Sequence, residues 1–344
     1  MQILRAISRV VSDDLAIDLG TANTLIYRRD AGIICDEPSM IAVRRDGRGG
    51  RRVLAIGAEA KKMLGRTPDS ISVTRPLKDG VIADFEGAGE MLQHFIRKVK
   101  KRNLVRPRLV ICAPSGITAV ERRAVEESAL CVGARTVHVI AEPMAAAFGA
   151  NLPVTEPVGS MIVDIGGGTA EIAVISVSSL VCAHSLRLAG DKMDEAIIEH
   201  IRGLHSLQIG EKTAELIKVL IGSAMPDSEG QALEIRGRDV ASGRPRTVEI
   251  TDEEIRQALN RTTHQLVESV RGVLETTPPE LISDIAEHGI MLAGGGALLR
   301  NLDRLLTSET GLPVKVAPDP LRAVAIGAGK LLDQPAMLER IASK

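Results

Sequence analysis

One phrase occurs twice in this chain, and it limits the folds open to it. Residues 15–26 read Leu-Ala-Ile-Asp-Leu-Gly-Thr-Ala-Asn-Thr-Leu-Ile, and residues 161–172 read Met-Ile-Val-Asp-Ile-Gly-Gly-Gly-Thr-Ala-Glu-Ile. Each is an apolar strand ending in an aspartate, a turn of glycine and small residues, and a second apolar strand. Glycine lets the backbone reverse sharply and lets its N–H groups approach an anion closely. An aspartate at a strand end can hold a divalent cation, usually through water. The two hairpins, cornered by Asp18 and Asp164, predict two similar half-molecules gripping one metal–nucleotide from opposite sides.

At 344 residues the chain is long enough for two domains with their own cores. Its formal net charge of -1 supplies no global field to recruit nucleic acid. Tyr27, Phe85, Phe95 and Phe148 are its only aromatic residues apart from histidine. That leaves no stacking platform for single strands, and an adenine would sit between aliphatic walls. Cys35, Cys112, Cys131 and Cys182 are scattered and read as thiols of a reducing compartment. The histidines show no metal-ligand spacing. No apolar run reaches the roughly 18–20 residues of a membrane span, and the N-terminus lacks the features of a signal peptide. A cytoplasmic protein is expected.

Between and after the repeated phrases, strands alternate with helices, which implies α/β layers. Segment 33–77, broken by Asp46-Gly47-Arg48-Gly49-Gly50, reads as a small β-rich insertion. Met91, Leu92, Phe95, Ile96 and Val99 fall on one face of a helix over 87–103. A strand at 109–113 ends at Pro114, a charged helix spans 119–132, and a strand at 137–140 leads to Glu142-Pro143, which opens an alanine-rich helix. The second half repeats this order: a helix over 191–203, a mixed segment 205–250, a helix over 252–275, and a strand running into Gly294-Gly295-Gly296. An offset of half the chain implies duplication, not a solenoid. Met1–Ser12 places Ile3, Leu4, Ile7, Val10 and Val11 on one helical face and Gln2, Arg5, Arg9 and Ser12 opposite, the pattern of a short interfacial helix on anionic lipid. Within 97–108, seven Lys/Arg surround Leu104 and Val105, an apolar pair suited to dipping into a bilayer.

These pieces resemble the actin/Hsp70/sugar-kinase superfamily and, within it, the MreB family of bacterial actin homologues. The resemblance rests on Asp-Leu-Gly-Thr-Ala-Asn-Thr-Leu (18–25), Asp-Gly-Val-Ile-Ala-Asp-Phe (79–85), Pro-Ser-Gly-Ile-Thr-Ala-Val-Glu-Arg-Arg (114–123), Glu-Pro-Met-Ala-Ala-Ala (142–147), Asp-Ile-Gly-Gly-Gly-Thr (164–169), Gly-Asp-Lys-Met-Asp-Glu-Ala-Ile (190–197), Thr-Pro-Pro-Glu-Leu (277–281) and Gly-Gly-Gly-Ala-Leu-Leu-Arg (294–300). It implies an actin-like duplicated α/β ATPase fold with two lobes around a nucleotide cleft. After an amphipathic membrane helix at 1–13, the first lobe would span 14–158 plus about 320–344, with an insertion at about 33–77. The second lobe would span 159–319, with an insertion at about 191–251.

The same resemblance implies ATP and Mg²⁺ as ligands. Thr21, Ala22 and Asn23 would form the first phosphate turn, and Gly166, Gly167, Gly168 and Thr169 the second. Asp18 and Asp164 would order the Mg²⁺ waters, while Glu142 and Thr169 position the attacking water. Phosphoryl transfer needs mostly positioning and charge neutralisation, and a carboxylate orienting water contributes to it. Glu215, Leu216, Ile217 and Lys218 would contact the adenosine, and Gly294, Gly295, Gly296, Ala297, Leu298 and Leu299 would close over it. Leu104 and Val105 match a membrane-insertion loop. Val120, apolar beside Glu121, Arg122 and Arg123, matches the contact that pairs protofilaments. The sequence departs from the resemblance at Ala141, Ala170 and Ala293, and leaves Glu142 and Thr169 in place.

Taken alone, Glu142 is a carboxylate favoured at a helix N-terminus, and Glu215 with Lys218 is a surface i,i+3 pair. Asp191 and Asp194 suit capping their helix as well as approaching the metal. The implied function is a membrane-associated cytoskeletal ATPase that polymerises under the inner membrane and directs cell-wall elongation. Its partners would be itself, anionic lipid and the elongation complex, with no nucleic acid. An Hsp70-type chaperone is the first alternative, and a chain ending at Lys344 leaves it no room for a peptide-binding domain. A small-molecule kinase is the second; it would need a substrate pocket with its own general base, for which the sequence offers no distinct candidate.

Overall fold

The structure, a computed structural model, describes residues 14–45, 50–99, 106–226 and 230–342. The amphipathic segment with Ile3, Leu4, Ile7, Val10 and Val11, and the Leu104-Val105 pair, lie outside the described residues.

Two five-stranded sheets carry the fold. The first has the order Gly32–Pro38, Asn23–Arg28, Leu15–Leu19, Arg108–Ala113, Thr136–Ala141. The second has the order Ser179–Leu186, Ala170–Ser176, Ser160–Ile165, Ile290–Ala293, Val314–Val316. In each, three consecutive strands form an antiparallel meander, and two later strands add in parallel beside the first of them. The identical order is the duplication expected from the repeated phrase. Central strands covered on both faces read as unbroken apolar runs, and Ser160–Ile165 is buried at every position. Asp18 pairs with Leu25 on one side and Cys112 on the other, and Asp164 stands in the matching place between Glu171 and Ala293.

Each sheet carries an inserted unit. The first is a sheet of Arg51–Ile56, Ile41–Arg45 and Ile71–Thr74 with the helix Ala58–Met63, packed around Met40, Ala42 and Ala60. It begins later than the expected residue 33. Gly32–Pro38 pairs with Asn23–Arg28 as the edge strand of the main sheet, and a half-buried edge strand has the same sequence pattern as the first strand of an insertion. The second unit joins helices Gly190–His205 and Glu211–Ile221 to a sheet of Leu207–Gln208, Ala232–Asp239 and Pro245–Thr251. The chain leaves it through Thr251, which accepts a hydrogen bond from the Glu254 backbone N–H while the Glu254 side chain accepts one from the Thr251 backbone N–H, a capping box that starts the long helix Asp252–Thr276. The helix expected over 87–103 is observed over Phe85–Val99.

Helices Glu142–Gly149 and Ala323–Leu332 cross between the lobes. A Cβ on Gly149 would lie 1.9 Å from the carbonyl oxygen of Ala323, and one on Gly327 1.8 Å from that of Ala145. The two backbones therefore touch, and a side chain at either place would force them apart. The Lys330 ammonium donates to the carbonyls of Phe148 and Gly149 and to Oδ1 of Asn151, at 2.9, 3.3 and 2.7 Å, satisfying helix-terminal acceptors. One apolar cluster runs through this crossing, from Ala16 and Val110 of the first sheet to Ile162 and Ala173 of the second. The lobes share this floor, and the cleft opens above it.

Candidate functional site

The two glycine turns meet tip to tip in the cleft. A Cβ on Gly167 would lie 2.7 Å from the Cβ of Ala22, and one on Gly168 2.6 Å from Oγ1 of Thr21. Larger residues would push the turns apart and fill the space between them. The carbonyls of Gly166 and Gly167 accept the backbone N–H groups of Gly190 and Asp191, at 3.1 and 2.8 Å. The second turn is thus tied to the start of helix Gly190–His205, whose dipole favours an anion nearby. Gly294 has φ 78°, and a Cβ there would sit 2.3 Å from the carbonyl oxygen of Ile165. Glycine suits both the left-handed backbone and the close approach.

Around these turns lies a cavity of about 710 Å³, within the range of small-molecule sites. Asp18, Asp164 and Glu142 all line it. Burial, and then the charge of Asp36, raises Asp18 to about 7. Burial, with Asp18 and Glu171 nearby, raises Asp164 to about 8. Glu142 is pushed well above the usual glutamate range by burial and by Asp18, Glu171 and Asp164. A divalent cation relieves such crowding and favours the ionised carboxylates. Among the described residues no three His, Cys, Asp or Glu side chains form a ligand cluster. The glycine cradle and the crowded acids together fit a Mg²⁺–nucleotide.

All residues assigned from the sequence to nucleotide binding line this cavity except Leu216, Ile217 and Ala297. Ile217 is packed in the second-lobe core, Ala297 is buried there too, and Leu216 faces solvent. On a helix, Glu215, Lys218 and Val219 share a face, and the two residues between them do not. Lys218 reaches Oδ1 of Asp194 at 2.8 Å and donates to the Gly190 carbonyl at 2.9 Å. Burial raises Asp194 to about 6 against the pull of Lys218. Neither Asp191 nor Asp194 caps the helix, which starts after Ala189 with no side-chain cap; Asp191 lies 3.4 Å from Arg75.

Sequence reasoning missed the other wall. Arg75 also approaches Glu211 at 3.7 Å, and Lys61 reaches Glu215 at 3.3 Å. Both basic residues come from the first insertion and their partners from the second, so these ion pairs bridge the cleft mouth. No local spacing connects Lys61 to a residue 154 positions away. Val120 lies outside the cleft, 76% exposed near the start of helix Ala119–Cys131.

Two duplicated lobes, each offering a glycine hairpin and an aspartate to one cleft, define an actin-like nucleotide-binding protein. The MreB/Mbl protein family model matches residues 12–340, and the chain belongs to that family. The cell shape-determining protein MreB of Escherichia coli (strain K12) is 54% identical over 334 residues, covering 96% of each chain. The cell shape-determining protein Mbl of Bacillus subtilis (strain 168) is 47% identical, over 93% of this chain and 96% of its own. The crystal structure of MreB5 of Spiroplasma citri bound to ADP has a TM-score of 0.89 at 37% identity, over 95% of this chain and 97% of its own. The same protein bound to AMPPNP has a TM-score of 0.88 at 37% identity over the same shares.

Proposed function

We propose that this chain is a cytoskeletal ATPase of cell-shape control: it binds and hydrolyses ATP in the cleft, polymerises under the inner membrane, and directs cell-wall elongation. The observation that carries this reading is the tip-to-tip meeting of two glycine hairpins beside three crowded acids. The ADP and AMPPNP held by Spiroplasma citri MreB5 support the choice of ligand. Thr21–Asn23 and Gly166–Thr169 hold the phosphates. Asp18 and Asp164 would hold a Mg²⁺ ion, which would supply charge neutralisation. Glu142 and Thr169 orient the attacking water. Glu215 and Lys218 face the nucleoside, and Leu298 and Leu299 provide an aliphatic wall. Hydrolysis is coupled to assembly, and the filaments are paired protofilaments joined through Val120. No helix among the described residues is long and apolar enough to cross a membrane, so membrane contact rests on residues 1–12 and the Leu104-Val105 pair.

The test is Glu142→Ala, followed by nucleotide binding, phosphate release and pelleting. The variant should bind ATP·Mg²⁺ and release phosphate on the order of 10²–10⁴ times more slowly, as expected for a lost positioning group. Unchanged phosphate release would remove Glu142 from this role. Failure of the wild-type protein to form ATP-dependent sedimentable polymer would overturn the cytoskeletal reading, and sugar phosphorylation in a parallel assay would replace it with a kinase.

A further inference from the structure

Glu171 is a carboxylate that the proposed chemistry leaves unused. It lies on the return strand of the second hairpin, directly opposite Asp164, and is 1% exposed. A buried carboxylate is expensive unless hydrogen-bonded, and its bonds show what it holds. Oε2 accepts the backbone N–H of Ser115 at 3.0 Å and the Ser115 hydroxyl at 2.5 Å, and Oε1 accepts the hydroxyl of Ser185. Ser185 is its cross-strand neighbour in the same lobe. Ser115 belongs to the other lobe, in the loop that follows strand Arg108–Ala113.

That loop is short and stiff. The Ile117 N–H donates to the Pro114 carbonyl at 3.2 Å, and Thr118 caps helix Ala119–Cys131 in a capping box with Glu121. A Cβ on Gly116 would stand 3.6 Å from the Cβ of Ser185, in ordinary contact, so the loop lies against the second lobe. A cavity of about 20 Å³ is lined by Ile117, Glu121 and Val125 together with Leu19, Gly80 and Pro114. Leu19, Gly80 and Pro114 also line the nucleotide cleft. Helix Ala119–Cys131 is therefore linked, through the loop and Ser115, to the return strand of the phosphate hairpin, and the small cavity it lines shares Leu19, Gly80 and Pro114 with the cleft.

We propose that Glu171 is a positioning residue whose bond to Ser115 couples helix Ala119–Cys131 to the hydrolytic side of the cleft, so that contact made by the helix in the polymer changes the rate of hydrolysis. This rests on the reading above that hydrolysis is coupled to assembly. Movement of the helix draws on the loop, the loop on Ser115, and Ser115 on the strand paired with Asp164 and continuous with Thr169.

The experiment compares phosphate release per subunit above and below the assembly threshold in the full-length protein. The variants are Ser115→Ala, Glu171→Gln and the two combined. Ser115→Ala removes a hydroxyl outside the nucleotide contacts and should keep nucleotide affinity, polymer mass and the unassembled rate. Its assembled-to-unassembled ratio should fall roughly tenfold, the scale of one hydrogen bond to a charged group. Glu171→Gln keeps shape and removes charge, and should lower the same ratio. The double variant should lose clearly less than the sum of the two single losses, because both changes weaken the contact between Ser115 and Glu171. An unchanged ratio in Ser115→Ala overturns the proposal. So do strictly additive losses, and so does a parallel loss of nucleotide affinity, which marks a merely structural role. A wild-type ratio of one takes down the assembly-coupled reading itself; a ratio above one that survives Ser115→Ala takes down only the bridge.

Discussion

Asp18, Asp164 and Glu142 line one cleft, where burial and neighbouring charge raise the proton affinity of each, and this sets how the site responds to protons. Asp18 is raised to about 7 and Asp164 to about 8, so near neutrality the folded chain retains protons that an unfolded chain has already released. The folded-state values lie above the unfolded ones. Without added nucleotide the protein should therefore lose stability as pH rises from about 4 to 8, because the unfolded state ionises first. Holding a cation requires the carboxylate forms, so Mg²⁺–nucleotide binding should release protons near pH 7 and tighten between about pH 6 and 8. Calorimetry in two buffers of different ionisation heat, repeated with pH, measures that release; binding without proton release at pH 7 would contradict the crowding. Asp18 and Asp164 are legible in the sequence because strand end, aspartate and glycine turn are contiguous. Asp36, Lys61 and Arg75 are not: Asp36 reaches the cleft from the edge strand of the first sheet, and Lys61 and Arg75 reach it only through the path of the first insertion.

At the scale of the element, helix Glu211–Ile221 shows where a motif stops being informative. Four consecutive residues stand out in the sequence, but a helix can offer only part of them to one cleft: Glu215 and Lys218 line it, Ile217 is buried and Leu216 faces solvent. The 3.6-residue period decides this, and it becomes usable only once the side of the helix facing the cleft is known. Helix Ala119–Cys131 is the opposite case. Its capping box and its exposed Val120 follow from local sequence. For the proposed lateral contact, Val120→Glu should leave polymer composed of single protofilaments, since two-fold pairing would bring the new charges together. Electron microscopy reads the outcome. Persisting paired filaments would refute the contact, and loss of all polymer would point to misfolding or to another contact.

At the scale of the molecule, the proposed membrane attachment depends on repetition. Each of the five apolar side chains in residues 1–12 is worth at most ~1.5–3 kcal/mol when fully buried, and an interfacial helix realises only part of that. Arg5 and Arg9 each add roughly 1 kcal/mol on anionic lipid. One subunit should bind weakly, while a filament presenting many such anchors gains through effective concentration. Deleting residues 1–12 should weaken co-sedimentation with anionic liposomes far more than it weakens polymerisation, and salt should weaken it further. Equal lipid binding by intact and truncated protein would refute the attachment. The duplicated sheets, the glycine turns and their aspartates were determined by the sequence alone, because hairpins and apolar alternation are encoded by near neighbours. The start of the first insertion, the ion pairs Lys61–Glu215 and Arg75–Asp191, and the bond from Ser115 to Glu171 were decided only by the tertiary structure. The first was settled by edge-strand pairing within one sheet; the ion pairs and the Ser115–Glu171 bond join segments brought together when Gly149 and Gly327 let two helices touch and set one lobe against the other, and no spacing along the chain carries that relation.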